Sequence, residues 1–180
     1  MNFDMLAKKR QSVRMFSSRP VEREKIEKCL EAARLAPSAQ NSQPWSFMVV
    51  QDRSVLDDLS LRAFSGIHSH TKFASAAPVI VVMLAKLDLF THVVGKQVQS
   101  IDFYMLDMGI AGDHFVMQAE DLGLGSCWIG WFNVKETRKC LDIPQKYKIC
   151  SLIALGYPSE DIPKREKKRK PMSEVLLKWV

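Results

Sequence analysis

The run Val79-Ile80-Val81-Val82-Met83-Leu84 has no polar side chain at any position, and it constrains the fold more than any other stretch. A strand wetted on one side alternates apolar and polar residues, whereas one that is apolar throughout needs cover on both faces of its sheet. Tyr147 to Leu155 is a second continuous apolar strand, with shorter strands at Trp45–Gln51 and Ser126–Trp131. Helical patterns lie between them, at Asp4–Gln11, Glu22–Leu35, Val55–Arg62, Gln97–Leu122 and Val134–Leu141. In the second of these, Ile26, Cys29, Leu30 and Ala33 fall on one face at the spacing of a buried stripe. Helices alternating with strands, and in excess of them, predict an α+β or α/β sandwich around one mixed sheet. With 180 residues and no linker or repeat, the chain reads as a single domain with a substantial core.

The segment Gln97–Leu122 is the longest helical pattern, roughly 40 Å if continuous. Met105, Met108, Phe115, Ala119 and Leu122 form its apolar face, and Gly109, Ala111 and Gly112 add small residues. A mid-helix glycine costs about 1 kcal/mol against alanine, so close approach of another helix or of a ligand has to compensate. We expect this helix to pack against its twin in a homodimer; the alternative is the central core helix of a monomer. Gly123-Leu124-Gly125 supplies the stop.

Charge narrows the partners. The net charge of +6 is concentrated in Pro163–Lys170, PKREKKRK, with six basic residues and one acidic. The remaining chain has twenty basic and nineteen acidic residues, so its body is nearly neutral. A nucleic-acid partner is therefore disfavoured, because it calls for positive charge spread along a surface. The longest apolar run, Ala76–Ala85, is too short to cross a bilayer, and the first sixteen residues contain no apolar leader core. Cys29, Cys127, Cys140 and Cys150 lie far apart with no C-x-x-C pair, as expected of reduced thiols in a cytoplasmic protein without a metal site. His68-x-His70 has no third ligand spaced nearby and reads as a solvated loop, and His114 reads as a hydrogen-bonded packing residue.

The chemistry is sought in three places. No G-x-G-x-x-G, Walker A or G-x-S-x-G pattern is present. In the arm Lys9-Arg10-Gln11-Ser12-Val13-Arg14, the alternate residues Arg10, Ser12 and Arg14 share one side if the chain is extended, and two guanidinium groups around a hydroxyl suit an oxyanion. The loop Ala36–Trp45 is stiffened by Pro37 and Pro44, and it offers Ser38, Asn41, Ser42 and Gln43 to a flat heterocycle. The alternative, less favoured by this segment, is a capping and turn cluster. The third place is the basic tail Lys167–Lys170; alone, each basic run is more often a solvated surface.

In order along the chain, KRQSVRMFSSRPV, AARLAPSAQNSQPW, DMGIAGDHFVMQAEDLGLGSCWIG, ALGYP and KKRKP resemble the FMN-dependent nitroreductases over nearly the whole length. The resemblance implies an α+β, nitroreductase-like three-layer sandwich, with a mixed central sheet flanked by helices, in an intertwined homodimer that binds FMN at each of two interface sites. It implies that Arg10 and Ser12, with Gln11 beside them, hold the FMN phosphate and the pyrimidine edge, and that Lys167 and Arg169 close on the phosphate. Arg14 matches the cation beside N1 and O2 of the flavin, and is the expected catalytic residue. Pro37, Ser38, Ala39, Asn41 and Gln43 match the loop that reaches the cofactor from the partner subunit. Trp128, Ile129 and Gly130 match the turn whose backbone N–H faces flavin N5, and Lys72 matches a second cation found in some members. Ala39 replaces a second serine seen in many relatives, and the helices that roof the pocket of longer members are missing, so substrate preference does not transfer.

The implied activity is ping-pong: NADH or NADPH delivers hydride, leaves, and is replaced by a nitroaromatic, quinone or similar small-molecule acceptor. The flavin carries the redox chemistry and the protein tunes it. The alternatives are an FMN storage or regulatory protein without turnover, and a reductive dehalogenase-like enzyme on the same fold.

Overall fold

The structure is a computed structural model that describes residues 2–87, 100–160 and 166–180. Positions 97–99 of the predicted long helix and 163–165 of the basic run lie outside the described residues. Four strands, β1 (Trp45–Val50), β2 (Val79–Lys86), β3 (Gly125–Ile129) and β4 (Tyr147–Gly156), form one sheet in the order β1-β2-β4-β3. All three strand pairings are antiparallel, with Val79 opposite Leu155, Val50 opposite Ile80 and Gly125 opposite Gly156. The parallel component of the sheet is confined to the arm, where Ser12 bridges Ser126 on the free edge of β3.

Both faces of β2 are covered, as its composition demands. On one face Val79, Val81, Met83 and Ala85 join Ile153 and Leu155 against α2 (Arg23–Arg34) and α4 (Phe103–Asp121). On the other, Ile80, Val82 and Leu84 join Leu152 and Ala154 against α3 (Arg53–Ala63), with Leu56, Leu59 and Ala63 fully buried. The three layers follow. Truncating a wholly enclosed side chain such as Leu59 to alanine would cost about 2–5 kcal/mol. Two short helices, α1 (Phe3–Lys9) and α5 (Val134–Cys140), start on Asn2 and Asn133, whose side chains accept from the amides of Met5 and Glu136. A last short helix, α6 (Met172–Val175), lies in the tail.

The long helix differs from its sequence reading at its start. It begins at Phe103, because Ser100 has a φ of 56°, a left-handed conformation no α-helix runs through. Its nineteen residues span about 28 Å. Met108, Phe115 and Ala119 face the sheet as expected, but Met105 is exposed together with Leu106 and Ile110. Tyr104 and Asp107 take the inward positions of that turn instead. The segment Gly66–Ala76, which showed no clear periodicity, is a 3-10 segment between α3 and β2.

Candidate active site

The arm lies over the edge of the sheet. The Val13 amide donates to the Ser126 carbonyl at 2.9 Å, and Val13 is buried. A Cβ on Gly125 would stand 2.8 Å from the Val13 side chain, so glycine is what admits the arm this close. Further along, Phe16 bridges Pro158 and the Ser17 amide donates to the Tyr157 carbonyl at 2.9 Å. Tyr157 also donates its hydroxyl to Glu22 at 2.6 Å, accepts from the Lys25 ammonium at 2.7 Å, and lies under the Arg19 guanidinium, 3.9 Å from its ring centre. These contacts fix the arm at both ends.

With Val13 turned inward, its neighbours turn outward. Arg10, Ser12 and Arg14 all act on the buried Cys127 thiol. Burial raises its pKa, while the Arg14 charge, a Ser12 hydrogen bond and the Arg10 charge pull it down. Each thus lies near enough to that thiol for its charge or hydroxyl to act on it. Gln11 lies with Val13 instead, on a cavity of about 390 Å³ bounded by Lys9 and Glu120.

The tail meets the arm. Lys167 donates its ammonium to the Ala7 carbonyl on α1, and the Arg169 guanidinium donates to the Lys168 carbonyl at 2.9 Å. Partial burial, then the Arg10 and Arg169 charges, hold Lys167 below the ordinary lysine range, against an opposing pull from Glu120. Residues from the two ends of the chain thus crowd like charges at one place. Among the described residues none of Arg10, Arg14, Lys167 and Arg169 is in an ion pair; the pairs on their sequence neighbours are Lys9–Glu120 at 3.3 Å and Lys170–Glu174 at 3.8 Å.

The Ala36–Trp45 loop is built by its own polar groups. Ser38 Oγ accepts from the Gln43 amide at 2.9 Å, and Gln43 Nε2 donates to the Asn41 carbonyl and Oδ1 at 3.1 and 3.0 Å. Gln40, Asn41 and Gln43 have φ of 50°, 55° and 44°. Three non-glycine residues in the left-handed region within one loop store strain, which the surroundings must hold. Asp107 of α4, only 3% exposed, supplies the hold: it accepts from the Ala39 amide at 2.9 Å and from Ser42 Oγ at 3.5 Å. The sequence reading missed Asp107. Its signal was a carboxylate one helical turn from Tyr104 and from Ala111, on a face otherwise set by apolar residues.

The remaining predicted residues divide. Ile129 is buried, so it offers the site only its backbone, and Gly130 is exposed with open space around it. The Trp128 indole lies over α4 at Gly112, where a Cβ would collide with the ring. Lys72 is exposed and lines a cavity of about 560 Å³ with Asp57, Ser60 and Ser69, while the adjacent Phe73 lies under Arg14 at 5.6 Å. Within one protomer the loop and the basic cluster do not meet: the loop sits at Asp107 and the cluster near Glu120, about 20 Å apart along α4.

The family described as "Nitroreductase family" matches residues 7–157. The chain is 33% identical over 181 residues to a Thermus thermophilus protein named NADH dehydrogenase, covering 86% of each chain. A solved structure titled as an FMN-dependent nitroreductase from Clostridium difficile R20291 is 34% identical, with a TM-score of 0.70 over 94% of this chain and 92% of that one. A nitroreductase family protein from Streptococcus pneumoniae TIGR4 superposes with a TM-score of 0.82 at 27% identity, covering 99% of this chain and 100% of that one.

Proposed function

Because the chain belongs to the nitroreductase family, we propose that its converging cations hold the phosphate of FMN and that the protein is an NAD(P)H-dependent oxidoreductase acting by a ping-pong mechanism. The observation that carries this reading is the meeting of tail and arm, where Lys167 donates to the Ala7 carbonyl and stands with Arg10 and Arg169, cations that among the described residues are in no ion pair and that a doubly charged phosphate would relieve. Each such charge-assisted contact is worth on the order of 1.5–3 kcal/mol. When bound, FMN supplies hydride acceptance from the nicotinamide and passage of electrons to an acceptor.

What the chain itself does is bind, orient and neutralise. Arg14, held over Phe73, is placed to offset negative charge arising at the pyrimidine edge of the cofactor. Ser12 presents a hydroxyl, and the exposed Gly130 leaves its backbone open to a planar ligand. The 20 Å between loop and basic cluster supports a twofold homodimer, in which each site takes the cluster of one copy and the loop of the other. Leu106 and Ile110 are exposed on α4, and no neighbour stands within 4 Å of a Cβ placed on Gly109, as a helix awaiting its twin requires.

The test is direct. Purified protein should be yellow, bleach on anaerobic addition of NADH or NADPH, and recover colour when a quinone or nitroaromatic follows. Protein that stays colourless in excess FMN contradicts the cofactor; colour that resists both donors contradicts the reaction.

A further inference from the structure

A groove of about 560 Å³ between α3 and the Gly66–Ala76 segment has no task in the proposed function. A 3-10 helix turns once every three residues, so Ser69, Lys72 and Ser75 stand in one row along that segment. The facing wall is α3 with the residue after it, where Ser60, Leu61 and Phe64 recur at helical spacing. Arg53 spans the two walls: it pairs with Asp57 on α3 and donates to the Ser75 carbonyl at 3.4 Å.

The row is short of partners. Ser75 Oγ is shut off from solvent and makes no hydrogen bond, a costly state for a hydroxyl unless something else supplies one. Among the described residues the hydroxyls of Ser60, Ser65 and Ser69 are unpaired as well, and Lys72 is in no ion pair. The carboxylate of this lining, Asp57, is already taken by Arg53. Hydroxyls gathered around one ammonium are a donor set for the oxygens of a phosphate. Leu61, 74% exposed, adds apolar surface for a base carried by the same ligand.

Position links this groove to the electron donor. Phe73, next to Lys72, lies 5.6 Å under the Arg14 guanidinium, the cation assigned above to the flavin. A dinucleotide whose nicotinamide lies on the flavin has to rest its adenosine half on protein beside that site. NADPH differs from NADH only by a phosphate on the adenosine ribose. We propose that the row Ser69, Lys72 and Ser75 binds that phosphate and makes NADPH the preferred donor. The proposal rests on the FMN reading above. The same phosphate chemistry occurs in a free nucleotide bound apart from the reaction, and the experiment separates the two.

Adenosine 2′,5′-bisphosphate carries the distinguishing phosphate and adenosine 5′-monophosphate lacks it. Both are titrated into the protein by calorimetry, and kcat/KM for NADPH and NADH is measured on the FMN-loaded protein with a quinone acceptor. The bisphosphate should bind about tenfold or more tighter, and kcat/KM should favour NADPH over NADH to a similar extent. Lys72→Gln and the double variant S69A/S75A should each bring both ratios toward equality, through KM for NADPH. Ratios unchanged in both variants overturn the proposal, as does an unaltered protein that treats the two donors alike. A bisphosphate that binds tightly without competing with NADPH would make the groove a separate nucleotide site, and overturns the donor assignment. Anaerobic bleaching by NADPH and NADH is followed in parallel. Protein that bleaches with neither sinks the FMN reading, whereas normal bleaching with equal affinity for the two fragments sinks only the phosphate row.

Discussion

The Asp107 carboxylate on α4 accepts a hydrogen bond from the Ala39 amide at 2.9 Å, so a core helix holds a loop that three left-handed residues would otherwise release. The Asp107 side is almost wholly enclosed and Ala39 is half-buried, and the bond lies at the end of α4 away from the basic cluster.

Asp107→Ala should therefore lower stability by about 1–3 kcal/mol, since it strands a shielded amide, and should weaken FMN binding as the loop relaxes. Asp107→Asn keeps an acceptor oxygen and should recover most of both. Thermal melts and flavin titrations of the two variants check this; equal losses in both would assign the effect to charge alone.

Gly112→Ala should lower the melting temperature by several degrees, because the added methyl falls inside the Trp128 ring and overpacking costs about 1–3 kcal/mol. Quenched or shifted Trp128 fluorescence should accompany it. An unshifted melt would mean that the indole leaves α4 without penalty.

Ile110→Glu changes an exposed side chain that no core residue needs, so a lone protomer should tolerate it. If α4 pairs with its twin, the same change places like charges at a twofold seam and should yield monomers that bind FMN poorly. Light scattering with flavin content reads both; a monomeric parent protein refutes the seam.

Glu22 sets an acid limit. The Tyr157 hydroxyl, its own backbone and Arg19 pull its pKa from 4.5 to about 2. A carboxyl lowered on folding stabilises the native state above its unfolded pKa, and that contribution fades as the pH falls from about 4.5 toward about 2. Glu22 is exposed, so solvent screening keeps the effect small. Glu22→Gln should narrow the gap between melting temperatures at pH 7 and pH 3; an identical gap would show that the Tyr157 clamp does not depend on that charge.

Much of this could be read from the residues. The unbroken aliphatic run of β2 foretold a sheet covered on both faces. Where the reading fell short, the cause was tertiary. Met105 fits a buried helical face by spacing, yet Tyr104 and Asp107 take the inward turn because the loop needs the Asp107 carboxylate. Strand direction is not encoded in a run of valines, so the antiparallel pairing had no local signal. The Gly66–Ala76 segment was opaque because a 3-10 path lacks the 3.6-residue period, and its anchors, the Ile67 carbonyl to Trp131 and Thr71 to the Trp131 carbonyl, are long-range.

The central claim is that cations from both ends of the chain close on one phosphate. Binding of FMN and of riboflavin, which differ only in that phosphate, tests it most directly by fluorescence titration of the protein and of the K167A/R169A variant. The account predicts that the unaltered protein prefers FMN by at least about tenfold and that the variant loses most of this preference. Equal affinity for the two flavins, or a preference that survives in the variant, would contradict it.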